Sequence, residues 1–269
     1  MKKQINKLLS IHAINIKNPV YSFIYKACRR FIYFYKNANY DYRHNGEEYL
    51  LKKLGECKIG CVFDVGANHG EWLKIALGYL PSCDVHAFEI SPNTFTILNE
   101  NIDSNTRVKL NNFGLCDEEK DVKIRFDQAR DTHTSMVETS VSGREKFDSL
   151  DVKCIPGDMY VKNNKIDHID FLKLDVEGAE NLILYGFKKS FSNKIVSVVQ
   201  FEYTEINIDS RFLLKDYYHF FEKNGFRVGK LYPNGVDFKN YEYKDEDFVG
   251  PNYIAVHESC IEIIKLLKI

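Results

Sequence analysis

Two stretches of the chain combine residue types and spacing suited to chemistry. The first is residues 62–70, VFDVGANHG. An apolar run ends around Asp64, turns through Gly66, Ala67 and Asn68, and leaves at Gly70 into a helical pattern. Glycine lets backbone approach a ligand closely, and a helix N-terminus offers free N–H groups to an anion such as a carboxylate. Glu89, in HAFEISP, ends the next apolar run. About twenty residues beyond a glycine turn, an acidic residue can accept hydrogen bonds from both hydroxyls of an adenosine ribose, as in dinucleotide folds. A nicotinamide-dependent oxidoreductase would want the same turn and the same Glu89. Its G-x-G-x-x-G is absent, and the glycines are spaced G-x-x-x-G instead.

The second stretch is residues 173–180, KLDVEGAE. Alternation along a strand puts Lys173 and Asp175 on one side and Leu174 on the other. Ligands of open α/β sheets bind at the carboxyl ends of strands, so Asp175 should face the reacting group. Glu177 and Glu180 can take part in that chemistry or simply cap the helix that follows. Glu202 ends the next apolar run and could meet Asp175 across a cleft. Two such carboxylates could hold a hard cation such as Mg²⁺, or one could be a general base. His133, between two threonines in a polar stretch, is either a surface residue or a substrate contact or base titrating near neutrality.

The elements that must carry these residues read as strand, helix, strand, helix, strand from residue 59 onward, the signature of a doubly wound, mostly parallel α/β sheet. Strands are expected at 59–65, 84–89, 107–110, 169–174, 194–202, 226–231 and 252–257. Two shorter, more exposed strands at 121–126 and 152–155 should bracket a polar loop over 127–143. Residues 1–55 read as a helical N-terminal extension to a main domain spanning 56–269. Within it, YSFIYKACRRFIYFYK (21–36) is dense in aromatics, with Lys26, Arg29 and Arg30 on a polar side. It can pack on the main domain, form a homodimer contact or substrate lid, or lie on a membrane surface.

Composition narrows the classes further. A formal charge of −1 gives no global field to attract nucleic acid. No run approaches the ~18 apolar residues of a membrane span. The basic N-terminus lacks the apolar core of a signal peptide. Seven scattered cysteines with no CxxC pair fit a reduced, cytoplasmic setting.

The segments VFDVGANHG, HAFEISPNTF, IDFLKLDVEGAE and the late FEY together resemble the FkbM family of methyltransferases, over most of residues 60–256. The resemblance implies a class I, Rossmann-like methyltransferase fold and S-adenosylmethionine as donor. It also implies O-methylation, often of sugars or other secondary metabolites. It places the methionine end of the cofactor at residues 66–70, next to Asp64, and the ribose at Glu89, next to Ile90. Adenine would lie near residues 112–115, after the third strand, at Asn112 and Gly114 among them, where Gly114-Leu115 stands for the family's Ala-Leu. The acceptor is then a small molecule or glycan, with a sugar hydroxyl on a nucleotide-linked sugar or surface polysaccharide precursor as the expectation. Mg²⁺ enters because some sugar O-methyltransferases of related fold use a metal. Tyr203, Tyr232, Tyr241, Tyr243 and Tyr253 would suit stacking on a sugar face and equally suit packing. A module that only binds the cofactor is the non-enzymatic alternative.

Overall fold

The apolar run before the glycine turn forms β1 (Cys61–Val65), which is followed by α3 (Glu71–Tyr79), β2 (Asp84–Phe88), α4 (Pro92–Ile102) and β3 (Val108–Asn111). Two helices precede it, α1 (Pro19–Tyr35) and α2 (Glu47–Leu54). The computed structural model describes residues 15–102, 105–127, 130–135 and 148–269, with Asn6 and Ser10. After β3 come β4 (Gly114–Cys116), β5 (Lys120–Asp127), β6 (Arg130–Ser135), β7 (Asp148–Pro156), α5 (Gly157–Asn164) and β8 (Ile169–Leu174). The rest is α6 (Glu180–Gly186), α7 (Lys188–Ser192), β9 (Val196–Glu202), α8 (Asn207–Ser210), α9 (Leu214–Lys223), β10 (Phe226–Tyr232), β11 (Gly235–Phe238), β12 (Asn252–His257) and α10 (Ile261–Leu267).

Eight strands form one sheet in the order β11-β10-β12-β9-β8-β1-β2-β3. The strands from β3 to β9 pair in parallel, and β12 runs antiparallel between β9 and β10. Because the chain winds from β1 outward to β3 and then returns to β8 on β1's other side, the order reverses between β1 and β8. That is the switch point where open α/β sheets leave a crevice at their carboxyl ends. The inner strands are mostly apolar on both faces, as parallel strands covered by helices must be, with a few buried polar residues near their carboxyl ends. Phe63 and Val65 face a layer with Phe88, Leu174 and Phe201, while Val62 faces the other with Val85, Phe171 and Val198.

A second sheet, β4-β7-β5-β6, lies beside the main one. The sequence anticipated β5 and a shorter β7 but not β4. The stretch expected as a polar loop carries strand β6, paired antiparallel with β5. Its alternation is hidden because Thr, His, Arg and Asp fill it, so no apolar period marks it.

Helix α2, read from sequence as part of the extension, buries Leu50, Leu51 and Leu54 in the same cluster as Val62 and Phe171. Helix α1 differs from its simplest reading as a packed helix: none of its residues is buried.

Candidate active site

At the end of β1, Gly66 adopts φ +86°, a left-handed conformation that favours glycine. The reason is steric and internal. A Cβ at Gly66 would sit 1.8 Å from the carbonyl oxygen of Asp175. The turn is also tied to β2, because the Gly66 and Ala67 N–H groups donate to the Phe88 carbonyl at 3.0 and 2.9 Å. Asn68 follows in the left-handed region at φ 48°. Gly70 (φ +83°) opens α3, and its missing Cβ makes room for Leu98 and Ile102 rather than for a ligand.

The crevice between the strand ends is lined by both sequence blocks. Gly66, Asn68, Glu89, Ile90, Gly114, Asp175 and Glu177 face it, with Phe113 of the expected adenine stretch, joined by Thr94 and Val176, to which no sequence signal gave a role. Four expected cofactor residues are not among the lining. Ala67 is buried beneath the turn, Gly70 packs on α4, and Asn112 donates from Nδ2 to the Glu89 carbonyl at 2.9 Å. Asp64 is fully buried, beneath Lys173 rather than at the crevice surface.

Glu89 is 6% exposed. Its two oxygens accept from the Asn68 N–H at 3.0 Å and the Ser91 N–H at 2.9 Å. Burial pushes its pKa up to about 7, against the pull of those N–H groups. The Oδ1 of Asn68 is buried and has no hydrogen-bond donor among the described residues.

Lys173 and Asp175 do share a side, as alternation required. The register pairs Asp64 with Lys173. Lys173 Nζ lies 2.7 Å from Asp175 Oδ2 and 3.7 Å from Asp64 Oδ1, and 5.3 Å from the centre of the Trp72 ring. Burial alone would lower the Lys173 pKa, but the Asp175 and Asp64 carboxylates outweigh it and raise it. Burial also pushes Asp64 up to about 6, with the lysine pulling the other way. Lys173 is thus sealed under the floor of the crevice and does not line it. Beside it in register is Gln200, which donates to Glu47 Oε2 at 2.7 Å and Asn252 Oδ1 at 3.0 Å. No short motif announces that buried polar row, since its members lie on α2, β1, β8, β9 and β12.

Glu202 leaves β9 next to Asp175, because the register pairs Leu174 with Phe201. Burial and then the charges of Asp175, Glu177 and Glu180 raise its pKa well above the usual carboxylate range. Glu180, buried, takes the capping role: its Oε1 accepts from the N–H groups of Val176 and Gly178 at 3.2 and 3.4 Å. Glu177, at φ 54°, is turned to the crevice instead. His133 falls on β6, and its side chain lies outside the described residues.

The Mg²⁺ expectation at Asp175 and Glu202 finds no geometric support. Among the described residues, no group of three or more His, Cys, Asp or Glu side chains is arranged to hold a metal ion. An Asp175 oxygen is already taken by the Lys173 ammonium. Tyr203 and Tyr253 are buried core residues, which removes them as sugar-stacking surfaces. No helix among the described residues is long and apolar enough to cross a membrane.

The chain is similar to hexuronic acid methyltransferase AglP of Haloferax volcanii, at 28% identity over 153 residues. That alignment covers 56% of this chain and 59% of AglP, so the chain spans about three fifths of the length of the curated relative it matches. Among solved structures it resembles the precorrin-6y C5,15-methyltransferase of Geobacter metallireducens GS-15, with a TM-score of 0.39 and 14% identity over 77% of this chain and 84% of that one. It also resembles the human methyltransferase 10 domain containing protein, with a TM-score of 0.41 and 9% identity over 81% and 83% of the two chains. These structural likenesses are too distant to bear on activity. The decisive match is to the methyltransferase FkbM domain over residues 64–228, from Asp64 at the end of β1 to Val228 in β10. It takes in every crevice-lining residue and removes the oxidoreductase alternative. The chain belongs to the FkbM methyltransferase family.

Proposed function

We propose that the protein transfers a methyl group from S-adenosylmethionine to a hydroxyl of a sugar. The observation that carries this reading is the division of the crevice. One end has a buried carboxylate, Glu89, beside apolar Ile90, Phe113 and Leu115; the other has the carboxylates of Asp175 and Glu177, with Glu202 alongside. The residues fit the donor: Glu89 can accept from ribose hydroxyls with its remaining lone pairs, and the unpartnered Asn68 Oδ1 can accept from an ammonium. Ile90, Phe113 and Gly114 line the crevice with apolar surface that a purine can contact. When bound, this cofactor supplies an electrophilic methyl carbon on a sulfonium.

The chain's own residues then have two tasks, aligning the acceptor oxygen and removing its proton. Glu202 is the proton acceptor in this reading, because it leaves β9 beside Asp175 at the acceptor end and burial raises its basicity above that of an ordinary carboxylate. Lys173 is a positioning residue that holds Asp175 at the crevice floor. Asp175 and Glu177 accept hydrogen bonds from the acceptor's other hydroxyls, and several closely spaced hydroxyls are what a sugar offers. The hexuronic acid named for AglP supports a sugar as acceptor.

Mass spectrometry of candidate nucleotide sugars incubated with the enzyme and isotopically labelled cofactor tests the reading. The expected result is one labelled methyl on one acceptor, stable to mild base as an ether. A base-labile ester, or transfer only to nitrogen or carbon, would overturn it.

A further inference from the structure

Helix α1 carries an apolar stripe that faces away from the fold. Val20, Phe23, Ile24, Phe31, Phe34 and Tyr35 follow the i, i+3, i+4 spacing of one helix face. All are exposed, Phe23, Phe31 and Phe34 at 72, 69 and 69%. The anchors of the helix lie on its other side. Tyr33 donates from its hydroxyl to Glu205 Oε1 at 3.2 Å, and Lys36, just past the helix, pairs with Asp247. Two turns and more of aromatic surface are therefore presented outward by contacts that hold the helix from behind.

Charge is segregated in the same place. The chain has 37 Lys and Arg against 38 Asp and Glu. Eight of those cations and none of the acids fall in the first 40 residues, leaving 29 against 38 for the remainder. The near-neutral total thus hides a strongly basic segment with an aromatic face, mounted on an acidic body.

We propose that α1 docks the protein on an anionic phospholipid surface. A basic helix with an exposed aromatic stripe buries that stripe among acyl chains while Lys26 and Arg30 reach the headgroups. A second copy is the poorer occupant, because two such segments, each without a single acid, would be brought together against like-charge repulsion. The geometry also gives the docking a use. Tyr33 touches Glu205, three residues beyond Glu202, so the lipid-facing helix runs beside the acceptor end of the crevice. An acceptor held at the surface would reach the carboxylates without leaving it.

Co-sedimentation of the full chain with phosphatidylcholine vesicles, with and without phosphatidylglycerol, tests the proposal. The wild type should pellet with the anionic vesicles and at least ~10-fold less with the neutral ones, since each cation near such a surface multiplies partitioning roughly fivefold. The double variant F31E/F34E should lose at least ~10-fold of the anionic binding. Its thermal melt should match the wild type, because both side chains are exposed. Wild type left in the supernatant, or equal binding by wild type and variant, would overturn the proposal. So would a vesicle-free dimer, seen by velocity sedimentation and broken by the variant, with no vesicle binding.

Discussion

Lys173 occupies a position that a lysine tolerates only in company: buried, over an indole ring, with carboxylates at 2.7 and 3.7 Å. A buried ion pair contributes less to stability than its Coulomb attraction suggests, but removing one partner leaves an uncompensated charge and costs about 3–5 kcal/mol. The arrangement therefore acts mainly as a fixture for Asp175. Glu202, on the neighbouring strand, is the group whose basicity the cluster raises, through burial first and then the charge of Asp175. Replacing Glu202 by Gln should lower kcat by about 10²–10⁴, the usual size of a general-base effect, with little change in cofactor affinity. Asp175→Asn removes a negative neighbour, so the acid limb of the kcat–pH profile should move to lower pH. The check is a pH–rate series on both variants. An acid limb unchanged in Glu202→Gln would assign the proton to another group.

At the scale of elements, the Gly66 turn is where β1, β2 and β8 meet. The sequence reading gave this glycine to the ligand, but its missing Cβ is required by the Asp175 carbonyl 1.8 Å away. Gly66→Ala should therefore destabilise the whole fold, by the ~1–2 kcal/mol of left-handed strain plus the clash, rather than selectively weaken cofactor binding. Gly78 is the contrast: it lies inside α3, and a Cβ there meets nothing within 4 Å. Gly78→Ala should stabilise by about 0.5–1 kcal/mol, raising the melting temperature by a few degrees. Differential scanning calorimetry of the two variants decides it; an unperturbed melt for Gly66→Ala would mean the turn has room to shift. The parallel core was legible because its strands are apolar runs cut by glycine turns, and both crevice blocks fell at strand ends. What stayed hidden has physical reasons. Strand β6 has no apolar period, and β4 is only three residues long. The buried row of Glu47, Lys173, Gln200 and Asn252 is assembled from distant elements, with Glu47 and Asn252 205 residues apart in the chain.

Considered as a whole, the molecule carries buried carboxylates whose titration should show in its stability. Burial lifts Asp64 to about 6, and Glu89 and Glu180 to about 7. With folded pKa values above those of the unfolded chain, the native state binds more protons than the unfolded one in the window between them. Their contribution is then fully present below about pH 4 and is lost as pH rises through 6 and 7. The melting temperature of the ligand-free protein should fall between about pH 5 and 8, and Glu89→Gln, which cannot titrate, should fall less steeply. Identical slopes for the two proteins would remove Glu89 from the account. The pairing of β1 with β8 has a further consequence, in time rather than space. The N–H of Gly60, just before β1, donates to Asp170 in β8, 110 residues later in the chain. While the chain is being synthesised, the glycine turn and Glu89 emerge long before the strand that completes their crevice. Until β8 has been made and has closed that long loop, the first three strands have one edge bare. Half of a binding site must wait for its other half, and a chain cut short before Ile169 has nothing with which to close it.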